Sequence, residues 1–346
     1  MFDAPCKQWP ARAGRRLTHR QKRQIEHQQD RRRARAAQDA EPPDETGLGS
    51  EQTGLVITHH GAALIIEDSE GELHRCATRQ NLGRLACGDR VIWQASGVRE
   101  GVVVAICERR SLLTRRDYRG QPRPVAANLD AVAVVLAPSP ELSEHLIDRY
   151  LVAIAAIGVQ GLLVLNKLDL LDPPALTALC TRLTPYRHIG YPVLLASSRT
   201  EHGLNALRSW LQGRTSLFAG QSGVGKSSLI KTLLPDREIR IQAVSAATGH
   251  GAHTTSASTL YHLPDGGDLI DSPGVRSFEL DEIRLSDLDQ GFPELAAYLG
   301  HCRFSDCRHS AEPDCALRDA VTQGVIHARR LESYRQLRAM LEKLKT

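Results

Sequence analysis

The sequence contains no apolar run that approaches the roughly 18 residues a helix needs to cross a bilayer. Its first residues carry positive charge, but no apolar core follows them, so the pattern of a secretory signal is also missing. These two absences argue against a helical membrane protein and against export, and we expect a soluble cytoplasmic protein. Hydrophobic residues still make up 41% of the 346 positions, which is enough for ordinary cores. At about 150 residues per domain, this length predicts two or three domains.

The N-terminal segment lacks apolar periodicity and is strongly basic. Up to Ala36 there are eleven Lys and Arg against three Asp and Glu, a balance of +8 in a chain of net charge +4. Such a segment cannot bury enough apolar surface to fold, and it attracts polyanions. We therefore interpret residues 1–48 as a basic disordered tail, with RNA binding as its candidate function.

Short strands are predicted over residues 50–112. Four segments rich in β-branched and other apolar residues are separated by turn residues such as Asp68 and Gly71. The segments are Gly54–Ile57, Ala63–Ile66, Arg90–Trp93 and Gly101–Ile106. This spacing indicates a small all-β barrel, with the OB-fold as a candidate, although an SH3-like barrel fits the pattern nearly as well.

A different pattern covers residues 120–283. Continuous apolar runs such as Leu129–Ala137 and Gly161–Leu165 alternate with helical patterns such as Glu141–Ile157. Strands buried on both faces that alternate with helices indicate a parallel α/β sheet. Residues 284–346 are predicted to be helical and to form a separate domain around a cluster of Cys and His. The sequence shows no internal repeat.

The glycine-rich segment Gly220–Ser227 matches the phosphate-loop pattern G-x-x-x-x-G-K-S. A predicted strand precedes it and a predicted helix follows, and its glycines let the backbone N–H groups turn toward phosphates. Lys226 can reach the β- and γ-phosphates, and the Ser227 hydroxyl can bind Mg²⁺. The predicted phosphate-binding residues are Gly220, Ser222, Gly223, Val224, Gly225, Lys226, Ser227 and Ser228.

A second motif decides between ATP and GTP. Asn166-Lys167-Leu168-Asp169 follows a predicted buried strand, and open α/β sheets bind ligands at the carboxyl ends of their strands. The Asp169 carboxylate can accept from N1–H and the exocyclic amine of guanine, a donor pair that adenine lacks. Asn166 can bridge to neighbouring loops, and the Lys167 stem can cover the base. Ser197 and Ser198 end the next predicted strand and form a loop suited to the guanine O6.

Two later motifs concern the Mg²⁺ ion and the γ-phosphate. Asp271-Ser-Pro-Gly274 matches D-x-x-G, so that Asp271 would hold Mg²⁺ and the Gly274 amide would meet the γ-phosphate. In the loop before it, either Thr254 or Thr255 would complete the Mg²⁺ coordination, and the sequence does not choose between them. In ordinary GTPases the phosphate loop comes first and the base motif late. The reverse order here predicts a circularly permuted P-loop α/β GTPase domain, whose D-x-x-G segment leads directly into the C-terminal region.

A metal site is predicted in the C-terminal region. Cys302-x4-Cys307-x-His309-x5-Cys315 supplies three thiolates and one imidazole, a set that suits tetrahedral zinc. Four protein ligands leave no open position for catalysis, so we expect one structural Zn²⁺. The other five cysteines are scattered and are expected to be reduced thiols.

These features together resemble the RsgA (YjeQ) family of bacterial GTPases that act in biogenesis of the small ribosomal subunit. The similarity runs from about residue 50 to the end, with Ser256 departing from a usual third Thr. It rests on Ala126–Asp130, Leu146–Leu151, the NKLD and GQSGVGKSS motifs, and the HTTS and DSPGV segments. The resemblance implies an OB-fold domain, GTP hydrolysis strongly stimulated by the small subunit, and a role in its late maturation. Composition and spacing do not by themselves indicate the ribosome.

The position after D-x-x-G, where many GTPases have a Gln that orients water, is Val275. Its side chain neither donates nor accepts a hydrogen bond, so intrinsic hydrolysis should be slow and another group must substitute. His253 is the predicted catalytic residue, and the family pattern assigns this role to the matching histidine. From the residues alone His250 is a near rival.

The expected partners are GTP and GDP, the small (30S) ribosomal subunit and its rRNA, with Mg²⁺ bound alongside GTP; we expect a monomer and no membrane. Two other functions stay open from the sequence. A GTP-switched RNA-binding adaptor would hydrolyse GTP only incidentally, and no partner would stimulate its turnover. A metabolic P-loop enzyme such as a small-molecule kinase is disfavoured by the guanine motif and the switch segments.

Overall fold

The computed structural model describes residues 48–60, 63–79, 82–117, 119–236, 258–272 and 283–344. The predicted tail lies outside these ranges except for its last residue. The same holds for the switch residues named above: His250, His253, Thr254, Thr255, Gly274 and Val275. Within the described ranges, no helix is both long and apolar enough to cross a membrane.

Five strands form a closed barrel at the start of the described chain. They are β1 (Glu51–His60), β2 (Ala63–Glu67), β3 (Leu73–Thr78), β4 (Arg90–Gly97) and β5 (Glu100–Ile106). The order β1-β2-β3-β5-β4 closes through a β1–β4 pairing, and β3 runs parallel to β5. This is the five-stranded OB-like arrangement, so the OB-fold candidate is confirmed over the SH3-like one.

The barrel interior is organised around Trp93, which is only 1% exposed. Gly101 lies so close to the Trp93 ring that a β-carbon at this position would come within 2.5 Å of it. Strand β3, which the sequence pattern did not predict, completes the barrel wall.

A two-stranded antiparallel ribbon follows the barrel. It consists of β6 (Leu112–Arg116) and β7 (Pro122–Ala127), and it spans the gap between the two predicted domains. Asn128 then joins barrel and sheet: its side chain donates to the carbonyl of Gly88 at 2.9 Å and accepts from the N–H of Arg110 at 3.0 Å.

The second sheet is mostly parallel. Its strands are β8 (Ala131–Leu136), β9 (Gln160–Leu165), β10 (Val193–Leu195), β11 (Thr215–Ala219), β12 (Thr259–His262) and β13 (Asp268–Asp271). Their order is β10-β9-β8-β11-β13-β12, with only β12 antiparallel to its neighbour. All six residues of β8 are buried, as expected for a strand covered on both faces.

Four helices pack with this sheet. They are α1 (Glu144–Ala156), α2 (Pro173–His188), α3 (Leu204–Leu211) and α4 (Lys226–Leu233). Helix α2 begins after Asp172, whose carboxylate accepts from the N–H of Ala175 at 2.8 Å, and its first two residues are prolines that need no intrahelical partner.

The barrel and the parallel sheet form one continuous sheet. Strand β12 pairs with β1 at Thr259 and Thr58. The His262 ring reinforces this junction, because it contacts the carboxylates of Glu67 at 2.6 Å and Asp268 at 2.7 Å.

The C-terminal unit is helical. It contains α5 (Leu285–Gln290), a 3₁₀ turn (Pro293–Leu295), α6 (Ala316–Thr322) and α7 (Ala328–Leu344). Its buried core includes Phe292, Leu317 and Leu337, and it also takes in Val152 from α1. The C-terminal unit therefore packs directly on the nucleotide-binding sheet unit through α1.

Candidate nucleotide site and metal cluster

The carboxyl ends of four parallel strands meet at one edge of the sheet, since β8, β9, β11 and β13 run in the same direction. Residues that follow these strands therefore lie together. The phosphate loop follows β11, the NKLD motif follows β9, and Asp271 ends β13. The sequence-predicted nucleotide-binding residues within the described ranges thus come to a single edge.

The phosphate loop depends on its glycines. Gly220, Gly223 and Gly225 have φ of 133°, 85° and 95°, in the left-handed region that other residues rarely adopt. At Gly225 there is also no room for a side chain, because a β-carbon would lie 2.3 Å from Nδ2 of Asn166.

The Lys226 ammonium is directed back onto the loop. Its Nζ donates to the carbonyls of Gly220 at 2.6 Å and Gln221 at 2.7 Å. The hydroxyl-bearing residues Ser227 and Ser228 stand exposed in the first turn of α4, while Val224 is buried beneath the loop.

The base motif is tied to the phosphate loop through Asn166, which is fully buried. Its Nδ2 donates to the carbonyl of Val224 at 2.9 Å. Lys167 has a left-handed backbone (φ 63°), and its Nζ donates to the carbonyl of Ser139 at 2.9 Å. The motif and the loop therefore form one hydrogen-bonded unit.

Asp169 is oriented by the loop that follows β10. The Ser197 hydroxyl donates to Oδ1 of Asp169 at 2.6 Å, and the same hydroxyl accepts from the N–H groups of Arg199 and Thr200. Ser197 is fully buried and Ser198 is half-buried. The structure thus gives Ser197 a positioning role toward Asp169, in addition to the loop role expected from the sequence.

The Cys and His residues of the C-terminal unit form a compact cluster. The ligand atoms of Cys302, Cys307, His309 and Cys315 all lie within 4.8 Å of one another. The Nδ1 atom of His309 is 3.5 Å from Sγ of both Cys302 and Cys315, and these two sulfurs are 3.9 Å apart. This Cys₃His cluster could hold a metal ion.

Sequence reasoning missed the groups that hold the cluster loop. The Glu312 carboxylate accepts from the N–H groups of Arg308, Ser310 and Ala311, and its own N–H and these neighbours lower the pKa of Glu312 to about 2. From α7, Arg335 donates to the carbonyl of His309. In the sequence, only the position of Glu312, three residues before Cys315, could have indicated this arrangement. Its partners are backbone groups, which no residue pattern specifies.

Burial sets the ionisation of the cluster without a metal. Burial raises the pKa of the Cys307 thiol to about 11. Burial and the nearby positive charge of Arg338 both lower the pKa of His309. A bound cation therefore has to displace a proton from the thiol, so metal binding is linked to proton release.

Comparison with known proteins places this geometry in a family. Residues 106–281 match the family model described as RsgA GTPase. The small ribosomal subunit biogenesis GTPase RsgA of Azotobacter vinelandii is 48% identical over 95% of this chain and 98% of its own length. RsgA of Pseudomonas aeruginosa strain LESB58 is 46% identical with the same coverage.

Solved structures agree with these relatives. YjeQ from Thermotoga maritima superposes with a TM-score of 0.70 at 31% identity, over 84% of this chain and 99% of the other. YloQ, described as a circularly permuted GTPase, superposes with a TM-score of 0.67 at 28% identity, over 88% and 99%. The permuted order of the guanine-nucleotide motifs agrees with the description of YloQ. By the family model and by its identity to these relatives, the chain belongs to the RsgA GTPase family.

Proposed function

We propose that this GTPase hydrolyses GTP during assembly of the small ribosomal subunit, and that the subunit stimulates the turnover. The observation that supports guanine-nucleotide use most directly is the Asp169 carboxylate, which the fully buried Ser197 orients through a hydrogen bond of 2.6 Å. The ribosomal role is supported by curated relatives that are 46–48% identical over 95% of the chain and are named for biogenesis of that subunit.

The described residues divide the work of binding GTP. Asp169, which Ser197 orients, would accept from the guanine edge. The aliphatic part of Lys167, whose Nζ donates to the Ser139 carbonyl, would cover the face of the base. The loop glycines present backbone N–H groups to the phosphates. A bound phosphate would take Lys226 from the loop carbonyls, since a charge-assisted contact to phosphate is stronger than a contact to a neutral carbonyl.

Magnesium fits the oxygen groups at this edge. Ser227 at the start of α4 and Asp271 at the end of β13 would hold the ion, together with Thr254 or Thr255. Mg²⁺ would neutralise charge that develops on the β- and γ-phosphates. The threonines, Gly274 at the γ-phosphate and His253 as the water-orienting group lie outside the described residues, and their roles rest on the sequence pattern.

Zinc fits the geometry of the cluster. Tetrahedral ligands at about 2.3 Å (S) and 2.1 Å (N) should lie about 3.8 Å apart for two sulfurs and about 3.6 Å apart for sulfur and nitrogen. The distances of 3.9 Å between Cys302 and Cys315, and of 3.5 Å from each to His309, agree with this. With all four positions supplied by protein, the zinc would be structural.

The proposed units are the basic tail (1–48), the barrel (50–112), the permuted GTPase unit (120–283) and the zinc unit (284–346). We expect the barrel and the zinc unit to dock on rRNA, while the tail adds affinity that falls with salt. The chain would work as a monomer in the cytoplasm, on the ribosomal subunit rather than at a membrane.

Cosedimentation with purified ribosomal subunits tests this function. The full chain with a non-hydrolysable GTP analogue should pellet with small subunits and not with large ones. Removal of residues 1–45 should weaken pelleting at low salt and leave subunit-free turnover unchanged. Equal pelleting with both subunits, or with neither, would contradict the proposed ribosomal role.

A further inference from the structure

A buried ionic network joins the C-terminal unit to the nucleotide-binding unit. Arg330 of α7 is only 1% exposed, and its guanidinium donates to Oδ1 of Asp148 and to Oε1 of Glu294, each at 2.6 Å. It also donates to the carbonyl of Gly291 at 3.0 Å and lies 4.1 Å from the ring centroid of Phe292. Each of the three guanidinium nitrogens therefore has an acceptor, and an aromatic ring lies against the group.

The network crosses a boundary between units. Asp148 is fully buried on α1 of the sheet unit, whereas Glu294 and Arg330 belong to the C-terminal unit. The Tyr186 hydroxyl of α2 donates to the same Asp148 oxygen at 2.8 Å. Beside these charged groups, the backbone at Gly291 lies so close to α1 that a β-carbon on Gly291 would come within 2.5 Å of Val152.

Such a network fixes geometry more than it adds stability. Removing charges from water costs several kcal/mol per ion, which the ion pairs only roughly recover. Burial by itself would lower the pKa of Arg330, but the charges of Asp148 and Glu294 outweigh it and raise that pKa. The guanidinium therefore stays charged, and displacing the C-terminal unit from α1 would leave buried charges without partners.

Helix α1 also contacts the phosphate loop. Tyr150, two residues after Asp148, is 2% exposed and lines a small cavity together with Gln221 and Val224 of the phosphate loop. Its hydroxyl oxygen accepts from the backbone N–H of Gly220, the first glycine of the loop. One helical segment thus holds the C-terminal unit through Asp148 and the phosphate loop through Tyr150.

We propose that α1 couples the docking of the C-terminal unit to nucleotide occupancy of the phosphate loop, with Asp148, Arg330 and Tyr150 as positioning residues. This coupling is separate from the covalent connection that leads from Asp271 to α5. It needs guanine nucleotide but no ribosomal subunit, so it stands or falls independently of the ribosomal role.

Reciprocity supplies the test. If docking favours nucleotide binding, nucleotide must favour docking by the same factor. Hydrogen–deuterium exchange of α7 (Ala328–Leu344) is measured in the full chain with and without GDP. GDP should slow exchange in α7 of the wild-type chain. It should do the same in the control Arg284→Met, because Arg284 is exposed and pairs with Asp287 inside its own unit.

Two variants interrupt the link at opposite ends. In Tyr150→Phe, GDP should still slow exchange in the phosphate loop but no longer in α7. In Arg330→Met, α7 should exchange faster without nucleotide, and GDP affinity should fall about fivefold or more, the lower end of typical coupling.

The outcomes against the proposal are equally definite. If GDP leaves α7 unaffected in the wild-type chain, or slows it equally in Tyr150→Phe, α1 does not couple the two sites. Should Arg330→Met fail to fold, Tyr150→Phe decides alone, because it removes one hydroxyl and keeps the ring packing.

Discussion

The carboxylate of Asp169 is oriented by the protein itself. Ser197 donates to one of its oxygens at 2.6 Å, and Ser197 is in turn held by two backbone N–H groups at 3.3 and 3.2 Å. An acceptor that is fixed in this way loses little freedom when the guanine edge binds. Base selection therefore depends on one carboxylate and on the buried hydroxyl behind it.

Asp169→Asn should change the base preference. Guanine presents two donors, N1–H and the 2-amino group, which need two acceptors. The Asn amide keeps the shape of the side chain but replaces one of the two carboxylate acceptors with a donor. Such a mismatch between buried polar groups costs about 1–3 kcal/mol. GTP affinity should fall by about tenfold or more, while xanthosine triphosphate, with its 2-oxo group, should bind better. The matched control is Asp172→Asn, the same change at the N-cap of α2, where Asn caps equally well. Unchanged GTP affinity in Asp169→Asn would remove the base-recognition argument.

His262 is a second residue whose chemistry can be measured. Hydrogen bonds with Asp268 and Glu67 raise its pKa to about 10, and Glu67 belongs to the barrel. Because the folded pKa lies above the usual 6.5, protonated His262 stabilises the folded state fully below about pH 6.5. That contribution is lost as the pH rises toward 10.

Thermal unfolding across this pH range should therefore separate His262→Gln from the wild-type chain. The wild-type advantage should be largest near pH 6, shrink through pH 7–9 and vanish near pH 10. His188→Gln, at the exposed end of α2, serves as control and should show no such trend. A constant advantage of wild type at all pH values would contradict the charged His262 bridge.

At the scale of elements, the sequence predicted local features well. The phosphate loop lies between β11 and α4 as its spacing requires, and the helix predicted over Glu141–Ile157 is α1. Other elements were not predicted. Helix α2 begins with two prolines and contains Pro185, and these prolines obscure its helical pattern in the sequence. The helix still forms, because a proline in the first turn costs no hydrogen bond and Pro185 lies in the last turn. Strand β3 has one buried residue in six, so it lacks the apolar signal of a strand.

The conformation of the phosphate loop gives a prediction about two neighbouring glycines. Gly225→Ala meets both a left-handed φ of 95° and a clash with Asn166, whereas Gly223→Ala meets only a similar φ of 85° with its nearest neighbour atom, Pro140 Cδ, at 3.7 Å. Backbone strain costs about 1 kcal/mol or more in each, and the clash adds to it only at Gly225. Urea unfolding of nucleotide-free protein should show a larger loss for Gly225→Ala. Equal losses would mean that the contact between loop and base motif is not tight.

The Cys₃His cluster makes a prediction about its own element. Cys307→Ser should release zinc and loosen the cluster loop, because metal binding supplies much of the folding energy of a small site. Zinc content measured after chelator dialysis should fall, while GTP should still bind at the distant sheet edge. Cys180→Ser, a half-buried cysteine on α2, should keep its zinc. Retained zinc in Cys307→Ser would exclude Cys307 as a ligand.

At the scale of the whole molecule, long-range contacts decide how the three folded units are joined. Barrel and sheet meet where Thr58 pairs with Thr259, and the C-terminal unit is held where Arg330 meets Asp148. These partners are separated by about 200 residues of chain. No sequence pattern specifies such pairs, so the units could be predicted one by one but not their junctions.

Activation of this GTPase by the small ribosomal subunit can be measured as GTP turnover with and without purified small subunits. Val275 supplies no group to orient water, so turnover alone should be slow and should rise by at least about tenfold with subunits. Lys226→Ala should abolish both rates. His253→Ala should keep GTP affinity and lose roughly 10²-fold of the stimulated rate, the scale of a lost water-orienting group; if His250→Ala does so instead, the catalytic assignment is wrong. Turnover that is the same with and without small subunits would show that the subunit does not activate this GTPase.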